Sequence, residues 1–339
     1  MRDDTPPSKS DVPPARSVSG SWIPLGIFLL VMLFTPLGRI WALCVLVIGV
    51  LMYLKRLKLQ TGLLWAGVAF AGGVLSAGSW SSSTLAPNFR DEPGDEQALP
   101  ANFKRLEIHG SNGFVRVFAR PGATRVRFER KGGATVTMEQ RGDMIIITAH
   151  KPFFSFSNGV NITLEVPENL EGDVQTSNGF IEWQGRAAKL QLRTSNDRIA
   201  LRDAGNLNAR LETSNDDVTV ERVAGTVYVR SSNGAIRVAD SNVALDAQTD
   251  NATITLERVA LQNNTKSRAF TSNGGINVSG LSASSGLLVR GGTSNARVDV
   301  NAPGFNVKLD DANFEARRDG FGMAELELRT SNDRITVRP

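Results

Sequence analysis

Leu192–Ile199 reads LRTSNDRI, and Leu328–Ile335 repeats it letter for letter, 136 residues further on. The octapeptide sets a polar corner, Thr-Ser-Asn-Asp, between apolar positions. Looser copies surround it: VQTSNGFI at Asn178, LETSNDDV at Asn215, VRSSNGAI at Asn233, AQTDNATI at Asn251, AFTSNGGI at Asn273, GGTSNARV at Asn295 and LDDANFEA at Asn313. Aligned on the asparagine, the copies are 18, 19, 18, 18, 22, 22, 18 and 19 residues apart. A period near 20 marks a solenoid, in which each unit buries its apolar face only against its neighbours.

The flanking columns say which solenoid. Three residues after the asparagine come Ile181, Ile199, Val218, Ile236, Ile254, Ile276, Val298 and Ile335. Five after come Trp183, Leu201, Val220, Val238, Leu256, Val278, Val300 and Val337. Four before come Val174, Leu192, Leu211, Val229, Ala247, Ala269, Gly291 and Leu328. This is period-2 alternation, rich in β-branched residues, on both sides of a turn. It predicts a mainly β chain: a parallel β-helix, or solenoid, of about 18–22-residue coils over 171–339.

A β-hairpin is the competing local reading, because Asn-Gly between alternating strands is its strongest short signal. Asn112, Asn158, Asn178, Asn233 and Asn273 have that Gly, but other copies replace it with Asp, Ala or Phe and keep the asparagine. A hairpin needs the Gly, whereas a stack needs the Asn. Asn178, Asn196, Asn215, Asn233, Asn251, Asn273, Asn295 and Asn332 are therefore expected to form a buried structural ladder, each amide bonding the next. Each such bond contributes about 1 kcal/mol.

Residues 103–170 are also β-rich but follow a different rhythm, and are expected to form an antiparallel lead-in and cap. At the other end Pro339 closes the stack, since proline cannot donate to a further strand.

The first eighty residues are of another kind. Residues 1–21 have the Pro, Ser and Asp content of a disordered cytoplasmic tail. Residues 22–80 hold apolar segments at about 22–37, 40–54 and 62–80, broken by Thr35-Pro36-Leu37-Gly38-Arg39 and by the cluster Lys55, Arg56 and Lys58. The first two are a little short of the roughly 20 residues a spanning helix needs, so a tight hairpin or a re-entrant insertion is expected. The basic cluster should stay cytoplasmic. Two to three transmembrane helices in the plasma (inner) membrane follow, with a linker over 81–102 and residues 81–339 outside the cytoplasm.

Composition excludes several functions. The chain carries 38 basic and 34 acidic residues. Seven of the basic and three of the acidic ones fall within 1–80, leaving 31 of each sign beyond. The basic pI of about 9.4 thus belongs to the membrane-proximal part and is no nucleic-acid footprint. The single cysteine, Cys44, permits neither an internal disulfide nor a thiolate metal site, and His109 and His150 are too few for a histidine one. No cofactor and no metal are expected.

RLEIHGSNGFVRVFA (105–119), NITLEVPENLEGDVQTSNGFIEW (161–183) and the serial TSNG and TSND corners together resemble the bacterial putative-adhesin family of β-solenoid domains. The resemblance covers about 101–339. It implies a solenoid of unknown function, often behind membrane helices, and binding at the cell surface. It carries over no catalytic residue.

The leading reading is a membrane-anchored envelope scaffold or adhesin-like module, not an enzyme. Its partners would be membrane lipid and an envelope protein or glycan, with self-association left open. The alternatives are a polysaccharide-active β-helix enzyme and a bactofilin-like self-assembling filament. An enzyme would draw on Asp197, Asp216, Asp217 and Asp333 beside Arg198 and Arg334. Glycosidic hydrolysis needs two carboxylates at a set separation, whereas these aspartates occupy a turn position that already favours Asp.

Overall fold

The computed structural model of the protein describes residues 95–100, 102–150 and 159–339. The apolar segments of 22–80, the cluster Lys55, Arg56 and Lys58, and the corner at Asn158 lie outside the described residues. Among the described residues there is no helix, hence none long and apolar enough to cross a membrane.

The described strands make two long sheets, one of 12 strands and one of 15. Strands that precede the corners, from Leu170–Gln175 through Ala187–Arg193 to Lys266–Thr271, build a leading sheet. Those that follow, from Ile181–Gln184 through Ile199–Arg202 to Ile276–Ser279, build a trailing sheet. Pairing between coils is parallel and in register, so Ile199 lies opposite both Ile181 and Val218. Register is fixed because a slip of one residue would turn every apolar side chain outward.

The three apolar columns face one another across the interior. Ile181, Trp183, Val174, Leu192, Leu201, Leu211, Ile254 and Leu256 are fully buried. Burying one such side chain contributes about 1.5–3 kcal/mol. Trp183 has room because Gly172 stands opposite; a Cβ there would approach the indole ring to 2.7 Å.

A second corner lies seven residues after each asparagine. Gly185, Asp203, Arg222, Asp240, Arg258 and Gly280 occupy it in successive coils, all with positive φ. That conformation costs an L-residue about 1–2 kcal/mol. The aspartates and arginines recover part of it by pairing along the stack: Arg222 Nε donates to Asp203 Oδ1 at 2.6 Å and Arg258 Nε to Asp240 Oδ1 at 2.5 Å.

The order of the coils departs from the order of the chain at both ends. Arg105–His109 and Val115–Ala119, expected in an antiparallel lead-in, form a parallel coil, with Leu170–Gln175 and Ile181–Gln184 on one side and Met144–His150 and Gly159–Val166 on the other. Antiparallel strands cap it only beyond that: Arg125–Lys131 on Gly159–Val166, Asp95–Ala98 on Arg125–Lys131, and Thr135–Arg141 on Met144–His150.

The final coil, Ala324–Thr330 and Ile335–Arg338, is likewise not the last rung. It lies between the coil of Lys266–Thr271 and Ile276–Ser279 and that of Leu287–Thr293 and Val298–Val300. Pro339 therefore does not close the stack. In the leading sheet a hairpin does so, Asn306–Asp310 with Asn313–Arg318, laid antiparallel on Leu287–Thr293. Asn313 opens a hairpin strand and is no corner of a coil, because its neighbours on both sides run antiparallel.

The pairing of Gly172 with Trp183 gives a direct test of the packing. Gly172→Ala should destabilise the domain by about 1–3 kcal/mol through overpacking. Adding Trp183→Leu should recover part of that loss in urea unfolding, whereas additive losses would mean that the two positions do not share one space.

Candidate functional site

The polar corner is the chain's most repeated chemistry, and three hydrogen-bond files run along it. In the first, the backbone N–H of the asparagine donates to the carbonyl of the residue before the asparagine in the adjacent coil, as from Asn196 to Ser177 at 3.1 Å and from Asn233 to Ser214 at 2.9 Å. In the second, the threonine two residues before the asparagine turns inward. Thr194 donates to the Gly179 carbonyl at 3.1 Å, Thr213 to Asp197 at 3.0 Å, Thr249 to Gly234 at 3.0 Å and Thr330 to Gly274 at 2.7 Å. In the third, each asparagine Nδ2 donates to the Oδ1 of its neighbour at 2.6–2.9 Å.

This third file runs Asn112, Asn178, Asn196, Asn215, Asn233, Asn251, Asn273, Asn332, Asn295. Three features differ from the sequence expectation. Asn112 belongs to the file, and Asn332 precedes Asn295 in it. Apart from the half-buried Asn112 the asparagines are exposed, while the threonines, with Ser231 in their column, are the buried members. The turn directs the small hydroxyl inward, where it satisfies a carbonyl that water does not reach, and leaves the larger amide in solvent.

The four corner aspartates do not form one site. Asp197, Asp216 and Asp217 line a hollow of about 380 Å3 with Phe180, Arg198 and Arg202, and Asp333 lies several coils away. Their carboxylates serve the backbone. Asp197 accepts from the Arg198 N–H at 2.8 Å, Asp216 from Asp217 at 2.7 Å, Asp333 from Arg334 at 2.7 Å, and Asp217 from Ala235 in the next coil at 2.7 Å.

The aromatic residues that could have stacked a sugar here are already covered. Trp183 is in the core. Phe180 lies between the Phe114 ring, 5.0 Å away, and the Arg198 guanidinium, 5.1 Å away. Tyr228 lies under Arg210 at 4.4 Å. His109 contacts Glu107 and His150 contacts Thr137, and no group of three metal-ligating side chains occurs among the described residues.

One feature escaped the sequence reading. A groove of about 720 Å3 lies at the far end of the leading sheet, between the coil of Gly291 and Gly292 and the hairpin of 306–318. Its signal was present in GGTSNARV, where Gly-Gly stands in place of the usual apolar-polar pair before the corner.

No family model matches the chain, and no curated protein does. Among solved structures, one that is similar is a crystal structure described as a "putative cell adhesion protein" from Clostridium sporogenes. It is 10% identical, with a TM-score of 0.27, and the alignment covers 73% of this chain and 99% of that one. At that score the likeness carries no argument, and the fold rests on the strand pairing described above.

The ladder and the second corner each make a measurable claim. Asn233 makes two amide bonds in its file and Asn295 makes one. At about 1 kcal/mol per bond, Asn233→Ala should cost about twice as much unfolding free energy as Asn295→Ala, and equal losses would argue against a ladder. At the second corner, the hydrogen-bonded Arg222 holds the Asp203 carboxyl below the usual aspartate range, and Arg258 does the same for Asp240. A carboxylate lowered by folding stabilises above the unfolded value of about 3.9, and that stabilisation is lost as pH falls through the lowered folded value. Asp240→Asn should therefore be less stable at neutral pH and should show a shallower acid limb. An unchanged acid limb would show that the Asp240 pairing does not couple to folding.

Proposed function

We propose that this chain is a membrane-anchored cell-envelope β-solenoid, with residues 81–339 outside the cytoplasm, that acts as an adhesin-like binding or scaffold module and catalyses no reaction. The observation that carries the reading is the direction of the corner's polar groups. Amides, hydroxyls and carboxylates repeated along the stack are spent on the neighbouring coil or on their own turn. A catalytic carboxylate has instead to face a substrate in a cleft. A stack with paired corners is a rigid spacer, suited to presenting a surface at a distance from an anchor. The apolar segments of 22–80 supply that anchor, and Lys55, Arg56 and Lys58 hold its loop in the cytoplasm.

A self-assembling scaffold is the second reading. It is favoured by Val298–Val300, the last strand of the trailing sheet, which pairs on one side only among the described residues. Edge strands of this kind invite another strand.

Reporter fusions and protease shaving of intact cells test the placement. A fusion after Pro100 should be active only outside the cytoplasm and one at Gln60 only inside; the reverse pattern would place the stack in the cytoplasm and end the envelope reading. For the chemistry, the triple variant Asp197→Ala, Asp216→Ala, Asp333→Ala should keep its fold and its localisation, and neither it nor the parent should cleave a glycan panel. Turnover by the parent that vanished in a folded triple variant would make the protein an enzyme. Filaments seen by electron microscopy at micromolar concentration would select the self-assembling reading.

A further inference from the structure

The groove at the end of the leading sheet is where the solenoid breaks its own rule. Elsewhere the outer face of this sheet is lined by long side chains that lie across one another, such as Arg193 with Glu212 at 2.8 Å and Arg268 with Asp246 at 2.6 Å. At Gly291 and Gly292 the column loses its side chains and the hairpin of 306–318 closes in, its Phe314 ring 2.7 Å from where a Cβ of Gly291 would stand and its Asn313 amide against Gly292, so that the hairpin forms the far wall of the hollow beside them. Departures from a local pattern tend to mark functional sites, and in repeat proteins insertions within a unit map to loops on one face, often the binding face. The volume, about 720 Å3, falls within the range of small-ligand sites.

The lining indicates what would fit. Phe270 supplies an apolar wall, half-buried on the neighbouring coil, with the Arg268 guanidinium over one face of its ring at 5.6 Å and the ring still lining the groove. Two of the three cations are already neutralised, Arg329 by Glu327 at 2.7 Å and Arg290 by Glu325. Lys308, Asp310, Asn313 and Glu315 line the same groove, and among the described residues no side-chain partner engages them. That leaves one free ammonium, two free carboxylates and one free amide. Such a set has no surplus of positive charge to hold a polyanion. It offers both acceptors and donors for hydroxyl groups, beside an aromatic ring on which a C–H face can rest.

We propose that this groove is a binding site for a neutral oligosaccharide, with Phe270 against a sugar ring and Asp310, Asn313, Glu315 and Lys308 bonded to its hydroxyls. The proposal rests on the reading of the chain as a surface binding module and gives that module its ligand class.

The test uses the detergent-solubilised full chain on an array of neutral, N-acetylated, uronic and sulfated oligosaccharides, followed by calorimetry on the best neutral binder. Saturable binding to a neutral member is expected. It should weaken at least tenfold in Phe270→Ala and in the double variant Asp310→Ala, Glu315→Ala, with the melting temperature kept, and stay unchanged in Asp197→Ala. Binding that survives both groove variants would place the site elsewhere and overturn the proposal. Preference for uronic or sulfated members would overturn it in favour of an anion at Lys308. If no glycan binds, the proposal fails by itself, and the broader reading is decided separately by whether whole cells carrying the chain still adhere to a surface or to one another. Should Phe270→Ala misfold, the double variant alone decides, since Asp310 is exposed and Glu315 partly so.

Discussion

A coil of this stack can satisfy its corner only with the coils next to it. The threonine hydroxyl, the asparagine amide and the backbone N–H all reach along the stack axis, and each finds a partner only if the neighbouring coil presents the same turn at the same height. This one requirement accounts for the repetition of Thr-Ser-Asn. It also accounts for the unequal tolerance of the positions. Ser may become Asp at residue 250, because its side chain points to solvent and only its carbonyl is needed. The threonine column changes to Ser231, which keeps the hydroxyl, and loses it at Gly110 in the coil of Asn112. A buried carbonyl left without a donor costs about 1–3 kcal/mol, and in a domain whose net stability is some 5–15 kcal/mol such losses cannot be repeated coil after coil.

The interior was legible from the sequence because it obeys a simple period. The columns that contain Ile199, Leu201 and Leu192 alternate strictly, and alternation maps directly onto a pleated strand. The corner was less legible. Period-2 logic lapses at a turn, so nothing in the letters T-S-N told which side chain faces inward, and the amide was expected where the hydroxyl lies. The order of the coils was not legible at all. Units that resemble one another offer one another similar edges, and LRTSNDRI at 192 and at 328 is the extreme case. Periodicity therefore defines the coils without ranking them. The coil of Arg105–Ala119 was hidden for a related reason: 66 residues separate Asn112 from its partner Asn178, too far for a period of about 20 to reveal.

Along much of the described outer surface the polar side chains close on one another. Along the second corner, opposite charges alternate at Asp203, Arg222, Asp240 and Arg258, and each pair lies between coils. Surface ion pairs of this type contribute little singly, but here they also hold a left-handed backbone that glycine occupies in other coils. On the leading sheet, Arg210 is spread over Tyr228 and paired with Glu212. Around Gly292 and the hairpin after it, where the repeat falters, Lys308, Asp310, Asn313 and Glu315 stand together without such partners among the described residues, as do Arg105, Glu171 and Lys189 near the other end. Regularity supplies the stack, and its interruption supplies a place where something else can attach.

The placement of the final coil bears on how the protein is made. Synthesis delivers the chain from its amino terminus, and domains begin to form as they emerge. Until residues 324–338 leave the ribosome, the strands Lys266–Thr271 and Leu287–Thr293 lack the coil that lies between them, because it follows both in the sequence. A chain cut before residue 324 would not be a solenoid lacking its tip. It would leave open parallel edges on both sides of the missing coil, the kind of edge that invites other strands. The fold itself in this way registers whether synthesis has passed residue 338.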